Sequence, residues 1–165
     1  IQCTPASPNC EVCPLIDTCF AANNNKVANL PVKAKKPKQR ERHFSFIYIR
    51  CNGKTAIRRR GAGDIWQGLY ELPLIETGEV GITVEELTAH PAFCELLSTL
   101  ERPTFHPTPI ATHAHRLSHR QIQATLFLLE AEGIRSTSPY LTIPTEERTA
   151  YAFPVLIERL LAKVK

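Results

Sequence analysis

The first nineteen residues carry four cysteines at the spacing C-x6-C-x2-C-x5-C: Cys3, Cys10, Cys13 and Cys19. Four thiols so close together, in a segment that also carries three prolines, can converge on one centre. A set of four thiolates suits either an iron–sulfur cluster or tetrahedral zinc. The sequence therefore predicts a cysteine-rich metal loop. The spacing holds a single C-x2-C pair, which leaves the choice between the two metals open.

Two disulfides are the alternative use of these thiols. They would require an oxidising compartment and usually a small secreted scaffold. The chain starts at Ile1 without a charged segment followed by an apolar one, and no apolar run is long enough to span a bilayer. We therefore expect metal ligands and no membrane partner. Cys51 and Cys94 stand alone and are expected to be small buried residues.

Basic residues are concentrated between Lys26 and Arg60, where twelve lysines and arginines accompany one acidic residue in a chain of formal net charge +4. Cationic side chains neutralise phosphates and release counterions, which gives affinity without sequence preference. We therefore predict double-stranded DNA as the partner, while a solvated linker is the alternative explanation of such a run. The residues predicted to contact the DNA backbone are Lys33, Lys35, Lys36, Lys38 and Arg40.

Composition and apolar periodicity divide the chain into three segments. Residues 1–20 form the cysteine loop, and residues 21–42, rich in Asn, Lys and Pro, are predicted to be a basic linker. Residues 43–165 are predicted to form one folded domain in which strands alternate with a few helices. The fold class predicted is therefore α+β.

Strands are predicted over residues 43–51 and 55–59, and the Asn52-Gly53 pair between them is a strong hairpin signal, so the two should pair antiparallel. Further strands are predicted over residues 110–116 and 121–129. Trp66, the only tryptophan, is expected to anchor the core.

Helices are predicted where capping residues precede apolar runs. Thr83 and Glu86 form a capping box, and Pro91 should separate this first helix from a second one ending near Leu100. Pro154 should begin a closing amphipathic helix. Its apolar face is predicted to consist of Val155, Leu156, Leu160 and Leu161.

Residues 113–120 lie between the last two predicted strands and include three histidines, two arginines and a serine. Histidines at alternate positions are also typical of a strand with one polar face. The residues alone therefore leave a functional and a structural explanation open.

The cysteine run, with its Cys13-Pro14 pair, resembles the 4Fe-4S loop that ends the helical domain of the endonuclease III superfamily. Beyond this loop, nearly all of the chain resembles the MutY-type adenine DNA glycosylases. His115-Arg116-Leu117-Ser118-His119 is similar to a family loop of the form H-x-F-S-H at every position but one, where Leu117 replaces Phe. The resemblance implies a Nudix-like (MutT-like) domain of mixed and antiparallel strands and a 4Fe-4S cluster on the four cysteines.

The resemblance also implies a function. Leu117, Ser118 and His119 would read 8-oxoguanine in duplex DNA that holds an 8-oxoguanine:A or G:A mispair. In this family the catalytic glutamate and aspartate lie in the helical domain before the cluster. This chain alone is therefore not expected to excise adenine. Its cluster need not assemble without that helical domain. A cytoplasmic location and a role in base excision repair are the corresponding expectations.

Two alternative functions of the chain remain open. A Nudix-type nucleotide pyrophosphohydrolase would need a carboxylate cage for magnesium. In the sequence motif of such hydrolases, an Arg-Glu pair precedes a Glu-Glu pair and both hold the metal. Here no Arg-Glu precedes Glu85-Glu86, so hydrolysis is not expected. A zinc-stapled DNA-binding module is the second alternative.

Overall fold

The computed structural model describes residues 3–4, 7–30, 32, 40–117 and 120–164, without the side chain of Arg40. The chain divides into two compact units, residues 1–38 and residues 39–165. The predicted boundaries after residues 20 and 42 stay predictions. No helix of the described residues has the length and apolar character that a membrane crossing requires.

Turns and short helices make up the described residues of the first unit. Helix α1 is Phe20–Asn23, and two 3-10 turns lie at Ile16–Thr18 and Val27–Asn29.

The second unit contains strands, three α-helices and a 3-10 helix among its described residues. The strands are β1 Arg40–Arg50, β2 Lys54–Arg59, β3 Tyr70–Glu71, β4 Leu74–Thr77, β5 Leu100–Glu101, β6 Thr104–Arg116, β7 Arg120–Glu130, β8 Gly133–Ile134 and β9 Leu141–Pro144. The helices are α2 Val84–Ala89, α3 Pro91–Ser98, the 3-10 helix Thr145–Ala150 and α4 Val155–Leu161.

The main sheet described has the strand order β4-β1-β7-β6. β1 runs parallel to β7 and antiparallel to β4, and β6 and β7 form an antiparallel pair. Alternate residues of a strand point to opposite faces, and β1 is buried on both: Phe44 and Phe46 belong to a core cluster that includes α4, while Ile47 and Ile49 belong to one that includes α2 and α3. The α+β class with a mixed sheet is confirmed.

The hairpin turn at Asn52-Gly53 is present, but the strand pairing predicted around it is wrong. Asn52 and Gly53 have φ values of 49° and 73°, as a type I′ turn requires, and Cys51 and Lys54 exchange backbone hydrogen bonds. Beyond that bridge β2 pairs with β3 and β9 instead of β1. The reason is that β4 and β7 already occupy the two sides of β1.

The helix signals are confirmed at their starts. Thr83 and Glu86 form both hydrogen bonds of the capping box at α2, and Pro91 is the first residue of α3. Cys51 is buried as predicted, but the expectation for Cys94 is wrong, because it lies on the exposed side of α3 opposite the buried Phe93.

The closing helix α4 begins after Pro154 as predicted, but its apolar face differs by one residue. Val155 is exposed and Ile157 is buried beside Leu156, Leu160 and Leu161. Residues 156, 157, 160 and 161 follow the i, i+1, i+4, i+5 pattern of one helix face, and residue 155 falls outside it.

Candidate nucleic-acid interface

The β6–β7 hairpin carries the predicted lesion-reading residues at one end of the main sheet. Arg116 and Gln121 are paired near its end, and the Leu117 N–H donates a hydrogen bond to the Arg120 carbonyl at 2.8 Å. The Leu117 side chain is half-buried against the core. Ser118 and His119 lie outside the described residues, between these two partners in the sequence.

Two histidines of β6 face the same side of the sheet as the buried residues opposite them. His113 pairs with Ala124 and His115 with Ile122. A guanidinium can only donate hydrogen bonds, so His113 Nε2 accepts from Arg159 Nη1 at 3.3 Å. Burial lowers the pKa of His115, and the electrostatic effects of His113 and Arg159 act in the same direction. The neutral form of the His115 imidazole is therefore favoured.

Trp66 packs beside the hairpin. Its ring centroid lies 6.1 Å from that of His115 and 6.2 Å from that of Phe44, and it packs against the same core cluster as Ile65 and Leu117. Its predicted role as a core anchor is confirmed. Its φ of 61° lies in the left-handed region, which is rare for a bulky residue and marks a conformation imposed by its surroundings.

Asp64, two residues before Trp66, accepts hydrogen bonds from three directions. Arg42 binds both of its carboxylate oxygens, at 2.8 and 2.7 Å, and Arg60 Nη2 binds Oδ2 at 2.7 Å. The backbone N–H of Ile65 donates to Oδ1 at 2.7 Å. Arg120, at the start of β7, places Nη1 at 3.6 Å from Oδ1, which is an ion-pair distance without a hydrogen bond. Asp64 thus joins the 64–66 segment to the hairpin.

A second carboxylate, Glu71, lies under this group and is 2% exposed. It accepts a hydrogen bond from Arg60, whose side chain is 8% exposed, and one from Arg58 Nε at 2.8 Å. A buried carboxylate is retained only when its charge is paired and its oxygens are hydrogen-bonded. Both conditions are met here.

The charges in this network are stabilised in their ionised forms. Hydrogen bonding to Arg42 holds the pKa of the Asp64 carboxyl well below its ordinary range, against the opposing effect of partial burial. Hydrogen bonds from Asp64 and Glu76 in turn raise the pKa of Arg42 above its already high ordinary value. Asp64 and Arg42 are therefore both charged at neutral pH.

Two open clefts, of about 390 and 420 Å³, border Asp64. Of the arginines that line them, Arg58, Arg60 and Arg42 each pair with a carboxylate, while Arg59 donates from Nε to the Gly68 carbonyl at 3.0 Å. Cations that are already paired offer little attraction to a nucleotide phosphate.

The predicted DNA-backbone contacts can be located only in part. Lys33, Lys35, Lys36 and Lys38 lie outside the described residues, and so does the side chain of Arg40, whose backbone begins β1. Within the described part of the chain, Arg116 is exposed beside the hairpin end and takes part in no ion pair. It is a cation available to a phosphate.

The four N-terminal cysteines are free thiols. The Cys13 N–H donates to the Cys10 carbonyl at 3.1 Å, which closes a turn over the C-x2-C pair. Cys3 is exposed, and no three histidine, cysteine, aspartate or glutamate side chains of the described residues are grouped as a metal site. The donor chemistry suits a cluster or zinc, but the arrangement is not that of a closed ligand set.

The carboxylates next to the Nudix-like sequence pattern have a structural use. Glu86 closes the capping box of α2 through its bond to the Thr83 N–H at 2.9 Å. Glu85 is exposed in the first turn of the same helix. Neither belongs to a metal-binding group within the described residues.

Comparison with known proteins identifies the family. The sequence profile of the NUDIX domain matches residues 45–163, which is most of the chain. The chain belongs to the NUDIX domain family. The profile thus covers both core clusters and the hairpin of this NUDIX domain, and the Nudix-like fold is confirmed.

A sequence relative carries a more specific name. Over 75 residues, which are 46% of this chain and 22% of the relative, the chain is 32% identical to the adenine DNA glycosylase of Buchnera aphidicola subsp. Schizaphis graminum (strain Sg). The match thus spans about a fifth of that relative. It bears out the resemblance to a MutY-type, Nudix-like chain.

Solved structures agree on the fold. The C-terminal domain of mouse MUTYH, solved in complex with human PCNA, superposes with a TM-score of 0.57 at 14% identity, covering 75% of this chain and 87% of that one. The MutT protein of Methanosarcina mazei Go1 gives 0.55 at 13% identity, covering 79% and 95%. The E. coli ORF135 protein gives 0.52 at 18% identity, covering 76% and 89%.

Sequence reasoning missed the charged network. Arg42, Arg60, Asp64 and Glu71 were not singled out as site residues, although Arg42 and Arg60 belong to the basic run. The signal available was the position of Asp64 directly after the Gly61-Ala62-Gly63 break, but its partners are distant in sequence. The structure places this network beside the hairpin end, through Arg120 at the start of β7.

Proposed function

We propose that this NUDIX domain is the DNA-binding, 8-oxoguanine-recognition part of an adenine DNA glycosylase that acts in base excision repair of 8-oxoguanine:A or G:A mispairs. The observation that carries the proposal is the 32% identity to an adenine DNA glycosylase. The match spans 22% of that relative. The groups that cleave the glycosidic bond would therefore be supplied by another part of the protein. The proposal includes the cytoplasmic location expected from the sequence.

The chemistry of the hairpin suits an oxidised purine. Oxidation of guanine at C8 converts N7 from a hydrogen-bond acceptor into a donor and adds a carbonyl acceptor at O8. A serine hydroxyl both donates and accepts, so Ser118 can complement that altered edge, with His119 adding a polar contact.

Leu117 would contribute apolar contact to a base step, as apolar side chains do in other complexes. Its N–H is already committed to Arg120 and its side chain is half-buried. Leu117 therefore anchors the hairpin end to the core. Phosphate contacts would come from Lys33, Lys35, Lys36, Lys38 and Arg40, together with the exposed Arg116.

The test is a comparison of binding to 8-oxoguanine:A and G:A duplexes by the wild type and Ser118→Ala. The wild type should prefer the oxidised duplex, and the variant should lose on the order of tenfold of that preference, because one good base contact contributes about 1–3 kcal/mol. Ser98→Ala, on the exposed surface of α3, is the matched control. Equal preference in wild type and variant would exclude the reading role.

A pyrophosphohydrolase activity is less supported, because Glu86 is committed to a helix cap and the described carboxylates form no metal-binding group. Magnesium-dependent release of pyrophosphate from a nucleoside triphosphate would revive that alternative.

We also propose that Cys3, Cys10, Cys13 and Cys19 bind a 4Fe-4S cluster. Four free thiols and the turn at Cys10–Cys13 support this. Anaerobic reconstitution should give a protein that absorbs visible light and contains iron. A colourless protein that binds one zinc ion would instead favour the zinc-stapled module.

A further inference from the structure

The segment Asp64–Trp66 contacts both strands of the β6–β7 hairpin. Asp64 pairs with Arg120 on β7 at 3.6 Å, and the Trp66 ring packs beside His115 on β6. Arg120 and His115 lie on either side of Leu117-Ser118-His119 in the sequence. Contacts that hold this segment in place therefore also restrain the two strands that carry the hairpin end.

The segment itself is held by buried and charged neighbours. Arg60, 8% exposed in its side chain, donates from Nε to the Ile65 carbonyl at 3.0 Å and from Nη2 to Asp64 at 2.7 Å. Arg42 adds a bidentate bond to Asp64 and is held in turn by Glu76 through a 2.7 Å bond. A bidentate guanidinium–carboxylate pair fixes orientation as well as distance.

The backbone of the segment is also constrained. Trp66 adopts φ of 61°, and its carbonyl accepts from the Leu69 N–H at 3.1 Å. A bulky residue persists in the left-handed region only when its surroundings over-determine it, and such residues cluster at functional sites.

We propose that Asp64–Trp66 is a positioning clamp for the β6–β7 hairpin and sets how strongly the hairpin discriminates 8-oxoguanine from guanine opposite adenine. The inference rests on the proposed function for its ligand, but the clamp is a property of this structure. Asp64 and Trp66 act through Arg120 and His115 and do not themselves contact the base.

Arg120→Gln is the variant that isolates the clamp, because it removes the ion pair to β7 and leaves the bonds of Asp64 to Arg42 and Arg60 in place. It should reduce the preference for 8-oxoguanine:A over G:A about two- to fivefold, the range expected from the loss of an exposed ion pair. Arg120→Lys should restore the preference, since the 3.6 Å contact needs only a positive charge. Glu132→Gln, which breaks the exposed pair with Arg102, is the control and should change nothing.

The salt dependence of binding separates positioning from a direct phosphate contact. If Arg120 positions the hairpin, the slope of log K against log salt stays that of the wild type in Arg120→Gln. A slope smaller by about 0.9, with both duplexes weakened equally, would mean that Arg120 neutralises a phosphate, and the clamp would be overturned. An unchanged preference in Arg120→Gln would overturn it as well.

Trp66 supplies a readout that does not depend on DNA, because it is the only tryptophan of the chain. Acrylamide should quench Trp66 fluorescence more strongly in Arg120→Gln than in the wild type or Glu132→Gln. If the wild type shows no preference for 8-oxoguanine, the proposed function fails, and the clamp is then judged by quenching alone: increased access of acrylamide supports it and unchanged access overturns it.

Discussion

At the scale of single residues, Asp64 shows how one carboxylate organises the hairpin end. Its oxygens accept from Arg42, Arg60 and the Ile65 N–H. The sequence around Asp64 does not reveal these partners, because Arg42 belongs to a strand distant from it along the chain. The same holds for Glu71, because the sequence around it does not indicate that this carboxylate is buried.

The depressed pKa of Asp64 predicts a pH dependence of stability. Because the pKa in the folded state lies below the ordinary value of 3.8, the unfolded chain binds a proton first as the pH falls. The contribution of Asp64 is therefore complete above about pH 5 and decreases as the pH falls through and below 3.8.

Urea unfolding between about pH 2 and pH 7 checks this expectation. The Asp64→Asn variant should be less stable than the wild type at neutral pH, and the difference should narrow as the pH falls towards the acid end of that range. Glu147→Gln, at an exposed residue of the 3-10 helix without an ion pair among the described residues, should keep the wild-type profile. A difference between Asp64→Asn and wild type that is the same at all pH values would contradict the role of ionised Asp64.

At the scale of elements, local signals predicted the starts of helices and turns, and they did not predict strand partners. The capping box at Thr83 and the turn at Asn52-Gly53 form as their residues indicate. Strand β2, which follows that turn, nevertheless does not pair with β1, because β4 and β7 occupy the two sides of β1.

The Asn52-Gly53 turn gives a prediction at this scale. Gly53→Ala should destabilise the domain by about 1–2 kcal/mol, because a Cβ is unfavourable in the left-handed conformation. No heavy atom lies within 4 Å of the Cβ position, so the effect is purely one of backbone conformation. Urea midpoints would measure it.

Gly61→Ala is the matched control, since its Cβ position is equally open and its φ is not positive. It should leave stability nearly unchanged. Equal effects of the two substitutions would show that the turn at Gly53 does not limit stability.

At the scale of the whole molecule, stability belongs to the second unit. The core residues that the structure describes as buried lie between Phe44 and Leu161, on the two faces of the main sheet. The first unit exposes large apolar residues instead, among them Val12, Leu15 and Phe20. Buried apolar area is the main favourable contribution to folding.

A protein that begins at residue 39 should therefore keep the main thermal transition of the full chain. We expect its Tm to shift by less than about 4 °C, the shift that corresponds to roughly 1 kcal/mol in a domain of this size. Calorimetry on the two proteins would check this. Loss of the transition would mean that residues 1–38 contribute to the folded core.

The sequence by itself determined those features whose partners lie within a few residues. Capping boxes, type I′ turns and the alternation of buried residues along β7 depend on local backbone geometry, so they can be predicted from neighbouring residues of the chain. The family resemblance and the α+β class rest on the same kind of pattern.

Only the tertiary structure decided which segments meet. The parallel pairing of β1 with β7, the outward position of Val155, the joining of Asp64 to Arg42 and Arg120, and the packing of Trp66 against His115 all depend on side chains brought together from distant positions. Such contacts form only when two cores close around one sheet, and no local propensity specifies them.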